Sequence, residues 1–161
     1  MNASTYLKLI RYKEWADRGL FDVVAEAFDR LGRDDRAIIV KILDHIHVVD
    51  RIFQRHLQAL PQAFDAPRSA DAPDIRVLIE DAKLVDEWYV DYVGALSEAD
   101  FDQPVDFVFT NGTPARMTRG EILLHVCLHG TYHRGNAGVI LQKNGIRPND
   151  DRVTDFLEEA A

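Results

Sequence analysis

Cysteine occurs once in these 161 residues, at position 127. One thiol cannot close an intrachain disulfide, so the fold has to stand on its core, as expected of a protein from a reducing compartment. Positive charge is also scarce: 19 Lys and Arg stand against 27 Asp and Glu, a net charge of -8. A nucleic-acid backbone is bound by clustered Lys and Arg, so the balance argues against such a partner. The acidic helix surfaces disfavour an anionic membrane as well. Apolar runs are only a few residues long, far short of the ~20 that span a bilayer. The opening Met1-Asn-Ala-Ser-Thr-Tyr-Leu-Lys lacks the apolar core of a signal peptide. The expectation is a cytoplasmic protein.

What is present is an ordinary globular composition, 47% hydrophobic and 29% charged. The length suits one domain over residues 1–161, with no repeat or linker to divide it. Ser4 or Thr5 can cap a first helix running to about Leu31, with Leu7, Ile10, Trp15, Leu20, Val24 and Phe28 as its apolar positions. Gly32 breaks it, and Asp34 or Asp35 can cap a second helix to about Leu60. The apolar stripe of that helix reads Ile38, Ile42, His45/Ile46, Val49, Ile52/Phe53 and Leu57, in steps of three and four. Pro61, Pro67 and Pro73 mark a loop. A third helix begins near Pro73 or Asp74 and ends near Leu96, with Leu78, Leu84, Trp88 and Tyr92 among its core candidates.

The period then changes. Val105-Asp-Phe107-Val-Phe109 alternates in part, and Asn111-Gly112 is a favoured hairpin pair, so a short hairpin is expected near 104–117. Thr118 and Glu121 form a capping-box pattern for a fourth helix from about Arg119 to Lys143. Asn144-Gly145 and Pro148 stop it, and one or two helical turns can follow from about Asp151. Four long helices make an all-α four-helix bundle, with a short β-hairpin before the last long helix.

The chemistry lies in the histidines. His125, His129 and His133 follow one another at intervals of four, so neighbours share a helix face. Three imidazoles in that row cannot all reach one ion: the first and third are about 12 Å apart along the axis at ~1.5 Å per residue. Neighbouring pairs can, as in the helical HExxH zinc motif. The pair is 125/129 or 129/133, and spacing leaves the choice open. A further ligand has to come from another helix, and His45 sits on the buried stripe of the second. His47 points away from His45 on a helix, toward solvent or a dimer face. His56, three turns further on, reads as a surface residue. Asp50, Arg51 and Arg134 read first as inter-helix ion-pair partners, and Cys127 as a small buried residue. A di-iron bundle is disfavoured, because Glu121 and His125 are four apart rather than three and no second such motif exists.

His129-Gly-Thr-Tyr-His133-Arg134-Gly135-Asn136 resembles the H-x-x-x-H-R-G-Q signature of the DinB/YfiT-like family, and Leu43-Asp-His45-Ile-His-Val-Val-Asp50-Arg51 resembles its L-N-H-x-x-x-x-D-R segment. The family is a metal-binding four-helix bundle of up-down-down-up topology, commonly dimeric. The resemblance implies His45, His129 and His133 as ligands of one divalent ion, and imidazole donors suit zinc and nickel alike. It leaves His125, Arg134 and Asn136 beside them or along a pocket, and assigns no catalytic residue. Asp44 stands where the family has Asn, and Asn136 where it has Gln. Three imidazoles leave coordination positions open, which suits catalysis more than a closed structural site. The superfamily includes S-transferases and isomerases that use bacillithiol or mycothiol. The implied function is metal-dependent transfer of a low-molecular-weight thiol to an electrophile, by a homodimer. A metal-dependent hydrolase and a non-catalytic metal-binding protein of the damage-inducible stress response are the alternatives.

Overall fold

The structure is a computed structural model and describes residues 1–159. Helix α1 spans Ala3–Ala27, α2 Arg33–Leu57, α3 Ile75–Gly94 and α4 Arg119–Lys143. Strands β1 (Pro104–Val108) and β2 (Pro114–Thr118) form an antiparallel hairpin before α4, and a short α5 (Val153–Glu159) ends the described chain.

The caps explain most boundaries. Asn2, two positions before Ser4 and three before Thr5, accepts from the Thr5 N–H and starts α1. Gly32 rather than Asp34 or Asp35 occupies the N-cap of α2, which puts both aspartates in its first turn, near the positive end of the helix dipole. Asp74 caps α3 through two backbone N–H groups. Thr118 and Glu121 form the expected reciprocal capping box on α4. The first helix stops at Ala27, earlier than Leu31, and tightens into a 3-10 turn over Phe28–Arg30. Helix α2 closes with Ala59 in the left-handed region (φ 55°), where the Leu60 N–H reaches back to the Arg55 carbonyl. Gly112 (φ 83°) takes the turn position of the hairpin that a side chain would strain.

Two apolar clusters show how the helices run. One gathers Leu20, Val24 and Leu31 with Ile39 and Leu43, Leu78 and Ile79, and Ala137 and Leu141. These are the late part of α1 and the turn after it, the early parts of α2 and α3, and the late part of α4. The other gathers Tyr6 and Ile10 with Phe53 and Leu57, Tyr89 and Val93, and Ile122 and Val126, the opposite ends. The topology is therefore up-down-down-up. Both α1 and α2 pack against α3 and α4, which sets α1 diagonally opposite α2. The parallel pair α2 and α3 needs the long connection from residue 58 to 74 to bring the chain back along the bundle.

At the hairpin end, Tyr6 stacks on Phe101 with ring centroids 4.3 Å apart. The Tyr6 ring crosses Gly120 so closely that a Cβ there would fall 2.7 Å from its Cζ. Ile38 and Leu84, expected in the core, are exposed, while the neighbours Ile39 and Val85 are buried in their place.

Candidate metal centre

Between the two apolar clusters the bundle is polar. Helix α2 presents His45 at this height, and α4 presents His129 and His133 one turn apart. The three imidazoles form a triangle, with ring centroids 4.9 Å (45–129), 4.6 Å (45–133) and 4.5 Å (129–133) apart. One nitrogen from each lies within 4.8 Å of the others, and all three side chains are half-buried.

His45 Nδ1 lies 2.6 Å from the Pro67 carbonyl oxygen. A carbonyl only accepts, so His45 carries its proton on Nδ1 and offers the Nε2 lone pair. That Nε2 is 3.1 Å from His129 Nε2, which donates to it. Burial above all, then the neighbouring His133 and His45, pushes His129 down to about 3. Burial and His45 lower His133 as well. Both are neutral near pH 7, the form in which imidazole binds a metal.

The donor set fits a divalent ion. Two ~2.0–2.1 Å metal–nitrogen bonds at a tetrahedral angle put their nitrogens about 3.3 Å apart, close to the His45–His129 separation. His129 Nδ1, on the far side of its ring, is buried without a hydrogen-bond partner.

His125 is one turn earlier on α4. Its ring stacks on His129 with centroids 5.6 Å apart and leans on Phe53 at 4.8 Å. It is exposed and outside the triangle. Asn136 is exposed too. Arg134 turns the other way, into the bundle. It donates to Asp17 at 3.0 Å and to both carboxylate oxygens of Asp151. The guanidinium is thus spent on an inter-helix ion pair.

Two histidines differ from the sequence expectation. His47 is buried rather than facing solvent, and burial first, with Arg51 adding, pushes it down to about 4. His56 is buried as well, stacked on Phe107 with centroids 4.5 Å apart. The hairpin folds back over the end of α2 and covers it, a contact that helical spacing alone does not reveal. Arg51 makes no inter-helix ion pair among the described residues; it sits 5.3 Å over the Phe64 ring.

Behind the histidines lies a charged layer. Lys13 Nζ lies 2.7, 2.8 and 2.6 Å from carboxylate oxygens of Asp17, Asp50 and Asp86, on α1, α2 and α3, and donates to Asp17 and Asp86. Three carboxylates at one point would suit a cation, and an ammonium already holds the place. One ammonium cannot neutralise three carboxylates. Burial raises all three; Lys13 and Arg134 together outweigh it at Asp17, which is lowered. Burial prevails at Asp50, pushed up to about 6, and further at Asp86. Cys127, in the same layer, is pushed up to about 12 by burial, and its thiol faces the Leu9 carbonyl. It is no nucleophile.

No helix of the described residues is long and apolar enough to cross a membrane. No curated protein matches the chain. A crystal structure of a DinB-like protein from Bacillus cereus ATCC 10987 shares the fold at 16% identity and a TM-score of 0.61, over 90% of this chain and 94% of that one. The family model for the DinB family matches residues 1–160. With that match over nearly the whole length, the chain belongs to the DinB family.

Proposed function

We propose that His45, His129 and His133 hold one divalent ion, zinc or nickel, and that the loaded site activates a low-molecular-weight thiol for transfer to an electrophile. The observation that carries this reading is the convergence of three imidazole nitrogens from two helices within 4.8 Å. Bound there, a divalent ion supplies a Lewis acid that stabilises an anion such as a thiolate near neutral pH. Three protein ligands leave room for that anion.

The residues of the chain do the rest. His45 is held by Pro67 with its lone pair toward the other two rings. His129 and His133 stay neutral, because burial first and then the neighbouring imidazoles oppose a charge on either. His125 and Phe53 form an aromatic wall beside His129 against which an apolar electrophile can rest. The thiol has to be supplied from solution, since Cys127 is buried and protonated. This reading sets the protein in the cytoplasm, where small thiols are kept reduced.

We also propose a homodimer. Leu128, Tyr132 and Val139 are exposed along one side of α4, 63–69% accessible, and a second copy would cover them. Sedimentation at micromolar concentration should give twice the chain mass; a single-chain mass removes the dimer.

The test of the activity is a panel of small thiols and aryl or alkyl halides offered to zinc- and nickel-loaded protein, with the S-conjugate measured. Conjugate formed by the loaded protein and abolished in His129→Ala supports the transferase reading. Metal binding with no thiol affinity or turnover would favour the non-catalytic protein, and ester or amide cleavage the hydrolase.

A further inference from the structure

The connection from residue 58 to 74 is more than a crossover, because it is strapped along one side of α2 in reverse order. Arg55 donates to the Pro61 carbonyl at 2.9 and 2.8 Å. Arg51 covers the Phe64 ring. His45 Nδ1 then meets the Pro67 carbonyl, and Asp44 takes Ser69.

The last contact is the most sheltered of the four. Asp44 is buried, and its two oxygens serve one residue: Oδ2 accepts from the Ser69 N–H at 2.8 Å and Oδ1 from the Ser69 hydroxyl at 2.6 Å. Asp44 precedes His45 on α2, and Ser69 follows Pro67 by two. The four residues close a ring through two hydrogen-bonded junctions. A loop carbonyl in water has no reason to stay on one imidazole nitrogen; here the adjacent serine is anchored at both of its donors. Only a carboxylate offers two acceptors in that fork. An asparagine would turn its NH2 toward one of the two donors.

We infer that Asp44, through Ser69, is a positioning residue of the metal centre: it seats the Pro67 carbonyl on His45 Nδ1 and so fixes the tautomer that presents Nε2 toward His129 and His133. The part of the inference that concerns metal affinity rests on the proposed site; the tautomer is a property of the metal-free chain. A partner on the other ring nitrogen of a metal-binding histidine typically changes affinity 10–100-fold. Such a device also ties the loop to the centre. Metal binding would hold the strap down, and loosening the strap would weaken the metal.

The experiment uses the full chain as wild type, Ser69→Ala, Asp44→Ala and Asp44→Asn. Long-range 1H–15N spectra of the metal-free proteins read the His45 tautomer, and competition with a chromophoric chelator reads the zinc Kd. Wild type should show His45 protonated on Nδ1 alone. Ser69→Ala keeps the backbone bond to Asp44 and should show a mixture; Asp44→Ala should show a fuller one, with zinc binding weakened at least tenfold. Asp44→Asn, keeping one acceptor, should recover part of both. Should Asp44→Ala fail to fold, Ser69→Ala alone decides. His45 still wholly Nδ1-protonated in the folded variants, or a zinc Kd within twofold of wild type, would overturn the inference. A wild type that holds no zinc would sink the proposed function and leave the tautomer result to judge the strap.

Discussion

Lys13 Nζ and the Asp86 carboxylate lie 2.6 Å apart at the centre of the bundle, 1% and 3% exposed, with Asp17 and Asp50 on the same ammonium. Such a layer says little about net stability, because desolvation offsets most of the attraction. Its effect on single substitutions is large. Lys13→Met leaves Asp50 and Asp86 without their cation and Asp17 with Arg134 alone, and should destabilise the fold by about 3–5 kcal/mol near pH 7. The deficit should shrink as the pH falls and the carboxylates protonate. Urea unfolding at pH 7 and pH 5 checks both; a deficit that grows on acidification would contradict the account.

The pH dependence of the wild type carries a second signature. Asp50 is raised from an ordinary value of about 4 to about 6. Its folded-state carboxyl therefore binds a proton more tightly than its unfolded one. The resulting stabilisation is full below about pH 4 and lost as the pH rises through about 6, up to about 3 kcal/mol for two units. Asp50→Asn has no such proton. The stability of wild type minus that of Asp50→Asn should fall between pH 4 and 6; a rise would show the carboxyl to be lowered instead.

Ala59 is the one non-glycine residue at positive φ among the described residues. Left-handed backbone costs an L-residue roughly 1–2 kcal/mol that glycine does not pay. Glycine loses more entropy on folding, which returns part of the gain. Ala59→Gly should therefore stabilise the protein by a few tenths to about 1 kcal/mol. Thermal unfolding reads the sign, and a lower Tm would mean that Ala59 is not strained.

Cys127 should be inert in the folded protein. Its thiol is buried and pushed up to about 12, so the thiolate that alkylating agents attack is scarce. Reaction with a chromogenic disulfide at pH 8 should be slow and become complete in denaturant. Fast native labelling would reopen its role as a nucleophile.

The fold was readable because its signals are local. Periodicity, the Thr118–Glu121 box and Asn111-Gly112 placed α4 and the hairpin within a residue. The charged layer leaves only a trace in the sequence. The buried stripe of α1 runs Ile10, Lys13, Asp17, Leu20, Val24, in steps of three and four, with two charged residues where apolar ones belong. Asp50, Asp86 and Arg134 interrupt the other three stripes. Asp50 and Arg134 read as inter-helix ion-pair partners, but only the meeting of four helices shows that they share one site with Lys13, Asp17 and Asp86. The strap over α2 was equally hidden, since nothing local ties Ser69 to Asp44, 25 positions away. The histidine triangle was partly visible. Spacing left 125/129 and 129/133 open, and the folded chain gathers His45 with His129 and His133 while His125 stands against Phe53.

The most direct test of the account is the amount of metal bound per chain after equilibration with zinc or nickel, in wild type and in His45→Ala, His129→Ala, His133→Ala and His125→Ala. One ion per chain is expected in wild type and His125→Ala, with loss in the other three, each left with two ligands. Bound metal should also raise the unfolding midpoint of the proteins that keep it, by mass action. Metal kept by His133→Ala and lost by His125→Ala would show that the other helical pair does the binding. No metal in wild type, or one ion retained in all four variants, would contradict the metal centre and the thiol chemistry built on it.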